Sequence, residues 1–151
     1  MCIRDSVTHT VLALNAGKPV LCEKPFSINA AEARQMIEAS IENNVALLEA
    51  MWMRFLPHIF TVRKILASGI LGEIISVTAD HGQRLADQGI SRLIEPSLAG
   101  GALLDLGIYP VSFAHMVLGV PESIQAEAVM TDKGVDASTS MLFTYLSLIH
   151  I

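Results

Sequence analysis

From Thr8 to Met51 the chain alternates helix-spaced segments with short apolar runs, and this alternation limits its fold more than any other feature. Thr8–Asn15 is apolar-rich at helical spacing and is closed by Gly17, a usual C-terminal stop. Pro19–Cys22 (PVLC) is a brief apolar run between turn residues, suited to a buried parallel strand. Asn29 then offers an N-cap, with Glu32 three residues on as the partner of a capping box. Ala33, Met36, Ile37 and Ile41 follow at helical spacing, and Asn43-Asn44 ends the helix. Val45–Met51 is a second apolar strand. A helix–strand–helix–strand order needs crossover connections, so the strands should lie parallel with helices on the sheet faces.

The remainder reads differently. A boundary is predicted at Arg54–Pro57. Beyond it, Ile59–Ala67 is expected to be a helix stopped by Ser68-Gly69, and Ile74–Ala79 a strand. Gln83–Ala99 has a mixed pattern and reads as a long loop, which inside a compact domain is often functional. Gly100-Gly101 opens a strongly apolar helical stretch ending at Gly119. Ile124–Met130 and Thr139–Tyr145 look like two strands around a turn at Asp132–Gly134.

Bulk properties exclude several classes. The 151 residues make one domain or parts of two. A net charge of -5 with no basic block argues against a nucleic-acid surface. The chain is 52% hydrophobic, yet its most apolar stretch, Leu103–Val120, is broken by Asp105, Gly107, Pro110 and His115, so no spanning helix is expected. Arg4 and Asp5 near the start, with no apolar segment, do not make a secretory signal. Cys2 and Cys22 build neither a disulfide framework nor a zinc spacing.

The two ends look foreign. Met1–Ser6 (MCIRDS) and Leu146–Ile151 (LSLIHI) back-translate to stretches that are largely reverse complements. The pair resembles the translated end of a transposase sequencing adapter. Both hexapeptides are therefore expected to lie outside the core, and the native chain to run from Val7 to Tyr145 and to continue in both directions.

Three segments carry candidate chemistry. Glu23-Lys24-Pro25 follows directly on a buried strand, and in open parallel sheets ligands sit outside the carboxyl ends of strands. Pro25 biases Lys24 toward an extended conformation; an ordinary surface turn accounts for the tripeptide equally well. In GGALLDLGIY (Gly100–Tyr109) and onward, Asp105, Tyr109 and Ser112 fall at i, i+4 and i+7 on one helical face among apolar neighbours. Buried polar groups need partners, supplied either by a cofactor or substrate or from within the protein. The paired glycines would let a ligand approach the backbone, while Gly107 and Pro110 disturb a regular helix. Trp52, Arg54 and Phe55 follow the second strand, placed to meet a phosphate, a ribose or a flat ring, or to pack at a domain boundary. His9, His58, His81 and His115 are scattered with no metal spacing, and Cys22 reads as an inert core residue.

ALNAGKPVLCEKP (Ala13–Pro25) resembles the end of the nucleotide-binding domain of the Gfo/Idh/MocA oxidoreductases. EAMWMRFLP (Glu49–Pro57) and GGALLDLGIYP (Gly100–Pro110) resemble the dihydrodiol dehydrogenase and glucose-fructose oxidoreductase branch of that family. The resemblance implies an α/β fold: the C-terminal part of a Rossmann-like parallel-sheet domain, then the start of an α+β domain with a mostly antiparallel sheet. On that mapping, residues 7–56 are the tail of the dinucleotide-binding domain and 57–145 the first part of a substrate and oligomerisation domain, with 1–6 and 146–151 as adapter-derived peptides.

The same resemblance implies a nicotinamide-dependent oxidoreductase. Hydride would pass between NAD or NADP, with NADP preferred, and a hydroxyl-bearing carbon of a sugar, polyol or trans-dihydrodiol. Lys24, Tyr109 and Asp105 would be catalytic. Tyr109 stands where many members carry an acid/base histidine; a nearby ammonium such as Lys24 favours a phenolate, and Asp105 would orient Lys24 or the substrate. Glu23, Lys24, Pro25, Trp52 and Arg54 would flank the cofactor, with no metal. The expected partners are a small-molecule substrate and further copies of the full-length protein, with no nucleic acid and no membrane, in the cytoplasm. The sequence contains no G-x-G-x-x-G, so the isolated chain is expected to be inactive. The alternative is a non-catalytic nucleotide-binding regulator of the same superfamily.

Overall fold

The structure, a computed structural model, describes residues 5–84 and 89–145. Of the two end hexapeptides, Met1–Arg4 and Leu146–Ile151 lie outside the described residues, while Ser6 is the first residue of helix α1.

Helix α1 (Ser6–Asn15) leads into strand β1 (Val20–Glu23), helix α2 (Ala30–Asn43) and strand β2 (Leu47–Ala50). β1 and β2 pair in parallel, Val20 opposite Leu47 through Glu23 opposite Ala50. α2 starts as its cap residues require: the Asn29 side chain accepts from Glu32 N at 3.0 Å, and Glu32 Oε2 accepts from Ile28 N at 3.2 Å. It ends at Asn44 in the left-handed conformation, φ 50°. α1 packs on α2, and Leu14 and Met36 are the largest fully buried side chains among the described residues.

A 3-10 turn at Trp52–Phe55 joins β2 to helix α3 (Pro57–Ala67), with Pro57 in the first turn, where no N–H partner is lost. Later come a one-turn helix α4 (Ser91–Ile94), a 3-10 turn (Pro96–Leu98), a wide π turn (Leu103–Gly107) and helix α5 (Ile108–Leu118). Strands β3 (Ser123–Met130) and β4 (Asp136–Thr144) form an antiparallel hairpin, with a register irregularity at Val129/Met130.

Two sequence expectations are corrected. Ile74–Ala79 forms no strand: it is irregular, and Ile75 is 81% exposed. A strand exists only through a hydrogen-bonded neighbour, and no described residue pairs with this segment. Gln83–Ala99 is not structureless, because α4 and a 3-10 turn fall inside it. Pro96–Leu118 is apolar enough to cross a membrane by length and composition alone. The structure interrupts that run with left-handed Ala99 (φ 57°), Gly101 (φ 127°) and the π turn, and buries Asp105 within it.

Candidate active site

The carboxyl ends of β1 and β2 lie side by side, so Lys24 and Trp52–Phe55 leave the sheet at the same edge. The polar stripe of the π turn and α5 meets them there. Lys24 Nζ donates to the Asp105 main-chain carbonyl at 2.6 Å and lies 3.4 Å from its carboxylate. Trp52 Nε1 donates to the Tyr109 hydroxyl at 2.9 Å. Arg54 Nε donates to Ser112 Oγ at 3.0 Å. Each stripe residue thus finds a partner within the protein, on a residue singled out from the sequence for other reasons.

The stripe is not a plain α-helical face. Asp105 lies in the π turn, and Tyr109 and Ser112 lie in α5. Pro110, in the first turn of α5, has no N–H to return to Asp105 five residues back or to Leu106 four back. The Asp105 carbonyl accepts instead from Lys24. Its carboxylate is shared by a second cation: Arg92 Nη1 lies 3.0 Å from Oδ1. Asp105 and Lys24 side chains are 12% and 15% exposed, and a carboxylate this enclosed is stable only when paired.

The glycine pair serves the protein's own chain rather than a ligand. A Cβ on Gly100 would stand 2.8 Å from the Leu93 carbonyl, and one on Gly101 would stand 2.1 Å from Asp136 Oδ1. That close approach lets the Asp136 carboxylate accept from Leu103 N at 2.7 Å and from Thr139 Oγ1 at 2.8 Å. Asp136 thereby ties β4 to the start of the π turn.

Tyr109 is surrounded on several sides. Lys24 Nζ is 4.7 Å from its ring centroid. Trp52 meets it edge-on, centroids 5.8 Å apart at 69°. His81 lies 5.2 Å away at 39°. The other expected site residues stand apart from this cluster. Glu23 is exposed at the end of β1, Pro25 is buried behind a cis peptide bond from Lys24, and Phe55 is 56% exposed.

Sequence reasoning missed His81, Arg92, Asp136 and Glu49, because the contacts that matter here, to Tyr109, Asp105, Leu103 and Phe26, are with residues distant in sequence. Glu49 Oε1 accepts from Phe26 N at 3.1 Å; burial pushes its carboxyl up, against the lowering effects of that bond and of Arg54. Burial likewise raises the Cys22 thiol. No metal-holding cluster occurs among the described residues. A cavity of about 740 Å³ lies between α5, β4 and residues 75–83, but Tyr109 does not line it.

Residues 59–150 match the GFO/IDH/MocA C-terminal domain, and residues 6–51 match the oxidoreductase family with an NAD-binding Rossmann fold. The chain belongs to the Gfo/Idh/MocA oxidoreductase family. Within that family it is 41% identical over 142 residues to trans-1,2-dihydrobenzene-1,2-diol dehydrogenase of Homo sapiens, covering 93% of this chain and 42% of the relative. The Danio rerio protein of the same name is 44% identical over 128 residues, covering 83% and 38%. Aldose-aldose oxidoreductase from Caulobacter crescentus, solved with glycerol, superposes with a TM-score of 0.84 at 28% identity, covering 93% of this chain and 44% of that one. The chain therefore spans less than half the length of these Gfo/Idh/MocA relatives, and the expected α/β fold class, a parallel sheet followed by an antiparallel one, is the one observed.

Proposed function

We propose that this chain is the central part of a dehydrogenase that oxidises a hydroxyl-bearing carbon of a sugar, polyol or trans-dihydrodiol, using NAD or NADP. The observation that carries the reading is Tyr109, whose hydroxyl accepts from the Trp52 N–H while the Lys24 ammonium lies over its ring. Relatives named as dehydrogenases support it. In this reading Tyr109 Oη takes the substrate's hydroxyl proton. Lys24 Nζ stands 4.7 Å from the centroid of that ring. Asp105 holds Lys24 in place.

The residues fit the reactive end of a nicotinamide cofactor. Lys24 and the half-exposed Trp52 ring lie beyond the carboxyl ends of parallel strands, where such rings bind. Arg54 stands at the same edge, while cofactor contacts by Glu23 and Pro25 rest on the family resemblance. The nicotinamide would supply the hydride acceptor. The sequence has no glycine-rich turn for the pyrophosphate, so the isolated chain should be inactive. Preference for NADP rests on the family resemblance alone.

The reading extends to a division into residues 7–56 and 57–145, supported by the change of family match between 51 and 59. Foreign ends at 1–6 and 146–151 rest on the reverse-complement relation of the two hexapeptides alone, since the C-terminal family match runs to residue 150. It includes a homo-oligomeric, cytoplasmic full-length protein acting on small molecules, without nucleic-acid or membrane partners. A regulator without catalysis has no use for a tyrosine so held. The test is Tyr109→Phe in the full-length protein, assayed with sugars, polyols and trans-dihydrodiols. Turnover should fall about 10²-fold or more, the scale of losing a general base. Unchanged turnover overturns the assignment.

A further inference from the structure

Trp52 is the chain's single tryptophan, and its position after β2 marks it as a flat ring for a cofactor. The structure gives its N–H a separate task. The indole N–H donates to Tyr109 Oη at 2.9 Å although the residue is 53% exposed, with a water-facing alternative at hand. An indole N–H donates and never accepts, and a lysine ammonium does the same. A phenol oxygen carries one proton and two lone pairs. With Trp52 donating to one lone pair and Lys24 over the ring, neither neighbour can take the Tyr109 proton. The third neighbour, His81, lies on an exposed segment with its ring centroid 5.2 Å from that of Tyr109.

We propose that Trp52 is a positioning residue for Tyr109. Its N–H pins the phenol oxygen so that the proton is exchanged only on the open side, with a substrate hydroxyl. In the oxidising direction the substrate O–H bond breaks and its proton goes to the phenolate oxygen. A bound nicotinamide would supply the acceptor for the carbon's C–H electron pair as hydride, leaving the carbonyl. The substrate half of this statement rests on the dehydrogenase reading; the pinning of Tyr109 does not.

Two measurements separate them. In the ¹⁵N–¹H spectrum of this chain the single indole gives one cross-peak. It should exchange slowly with solvent for so exposed a ring. Tyr109→Phe should move it upfield and speed its exchange, while Tyr145→Phe leaves it in place. Fast exchange in the wild-type chain, or a peak indifferent to Tyr109→Phe, overturns the pinning whether or not that variant folds well. In the full-length protein Trp52→Phe keeps an aromatic ring and removes only the donor. It should lower kcat about tenfold, as for a hydrogen bond to a charged oxygen, with KM changed less than about twofold. A raised KM with intact kcat would make Trp52 a binding ring and overturn the proposal. If Tyr109→Phe keeps full turnover while the indole peak still responds, the dehydrogenase assignment falls and the pinning stands.

Discussion

Lys24 Nζ lies 2.6 Å from the main-chain carbonyl of Asp105, closer than its 3.4 Å to the carboxylate of the same residue. The backbone of the π turn is thus the nearer anchor of the lysine, and the carboxylate also serves Arg92. This arrangement ranks two substitutions. Asp105→Asn keeps the carbonyl in place and removes only the charge, whereas Lys24→Met removes the ammonium itself. In the full-length protein Lys24→Met should lower kcat about 10²-fold and Asp105→Asn about tenfold. Equal losses would show that the carboxylate, not the carbonyl, holds Lys24.

Gly101 links the π turn to β4, and its replacement should be costly. Gly101→Ala forces a side chain at φ 127° and places Cβ 2.1 Å from Asp136 Oδ1. Gly134→Ala has a comparable backbone problem at φ 83° but open space around it. Gly134→Ala should cost about 1 kcal/mol, and Gly101→Ala about 2–3 kcal/mol because the Asp136 bonds to Leu103 and Thr139 must also shift. Urea denaturation of both variants checks the order. A Gly101→Ala chain as stable as Gly134→Ala contradicts the contact.

Cys22 should be chemically quiet. It is 4% exposed, and burial raises its thiol, outweighing the lowering effects of Thr10 and Ser6. The thiolate is the reactive form, so both access and charge state protect it. Alkylation at neutral pH, mapped at Cys22 by mass spectrometry, should be at least about tenfold slower in the native chain than in denaturant. Equal rates would contradict the burial.

The parallel half of the fold was legible because its signals are local. Asn29 with Glu32, the apolar run before Glu23, and Met36 on the buried face of α2 each act within a few residues. The candidate site was legible as residue types at strand ends and on one helix, but not as pairs. Nothing at a local spacing joins Trp52 to Tyr109, or Arg92 to Asp105. These contacts depend on how β2 and α5 come together. The π turn escaped because Gly107 and Pro110 disfavour a regular helix without specifying the irregular one. Ile74–Ala79 shows the converse. Its composition suits a strand, but pairing requires a neighbour that no described residue supplies.

Glu49 gives a pH-dependent prediction with a definite sign. Its folded carboxyl is raised above the ordinary value of 4.5, first by burial, and the Phe26 N–H and Arg54 only partly oppose this. Well below that value the folded and unfolded chains both hold the proton, and the residue contributes no pH-dependent term. As pH rises past it, the unfolded chain releases its proton first. The folded state then binds more protons than the unfolded state, so stability falls with rising pH through this window. Glu49→Gln keeps an oxygen to accept from Phe26 N and cannot ionise. The variant should match the wild type near pH 4 and exceed it near pH 7. The gain should stay below about 1 kcal/mol, because the half-buried carboxyl is screened by solvent. Thermal unfolding of both chains across that range measures the difference. A variant less stable than the wild type at pH 7, by the amount of a lost ion pair, would show that Arg54 outweighs burial at Glu49.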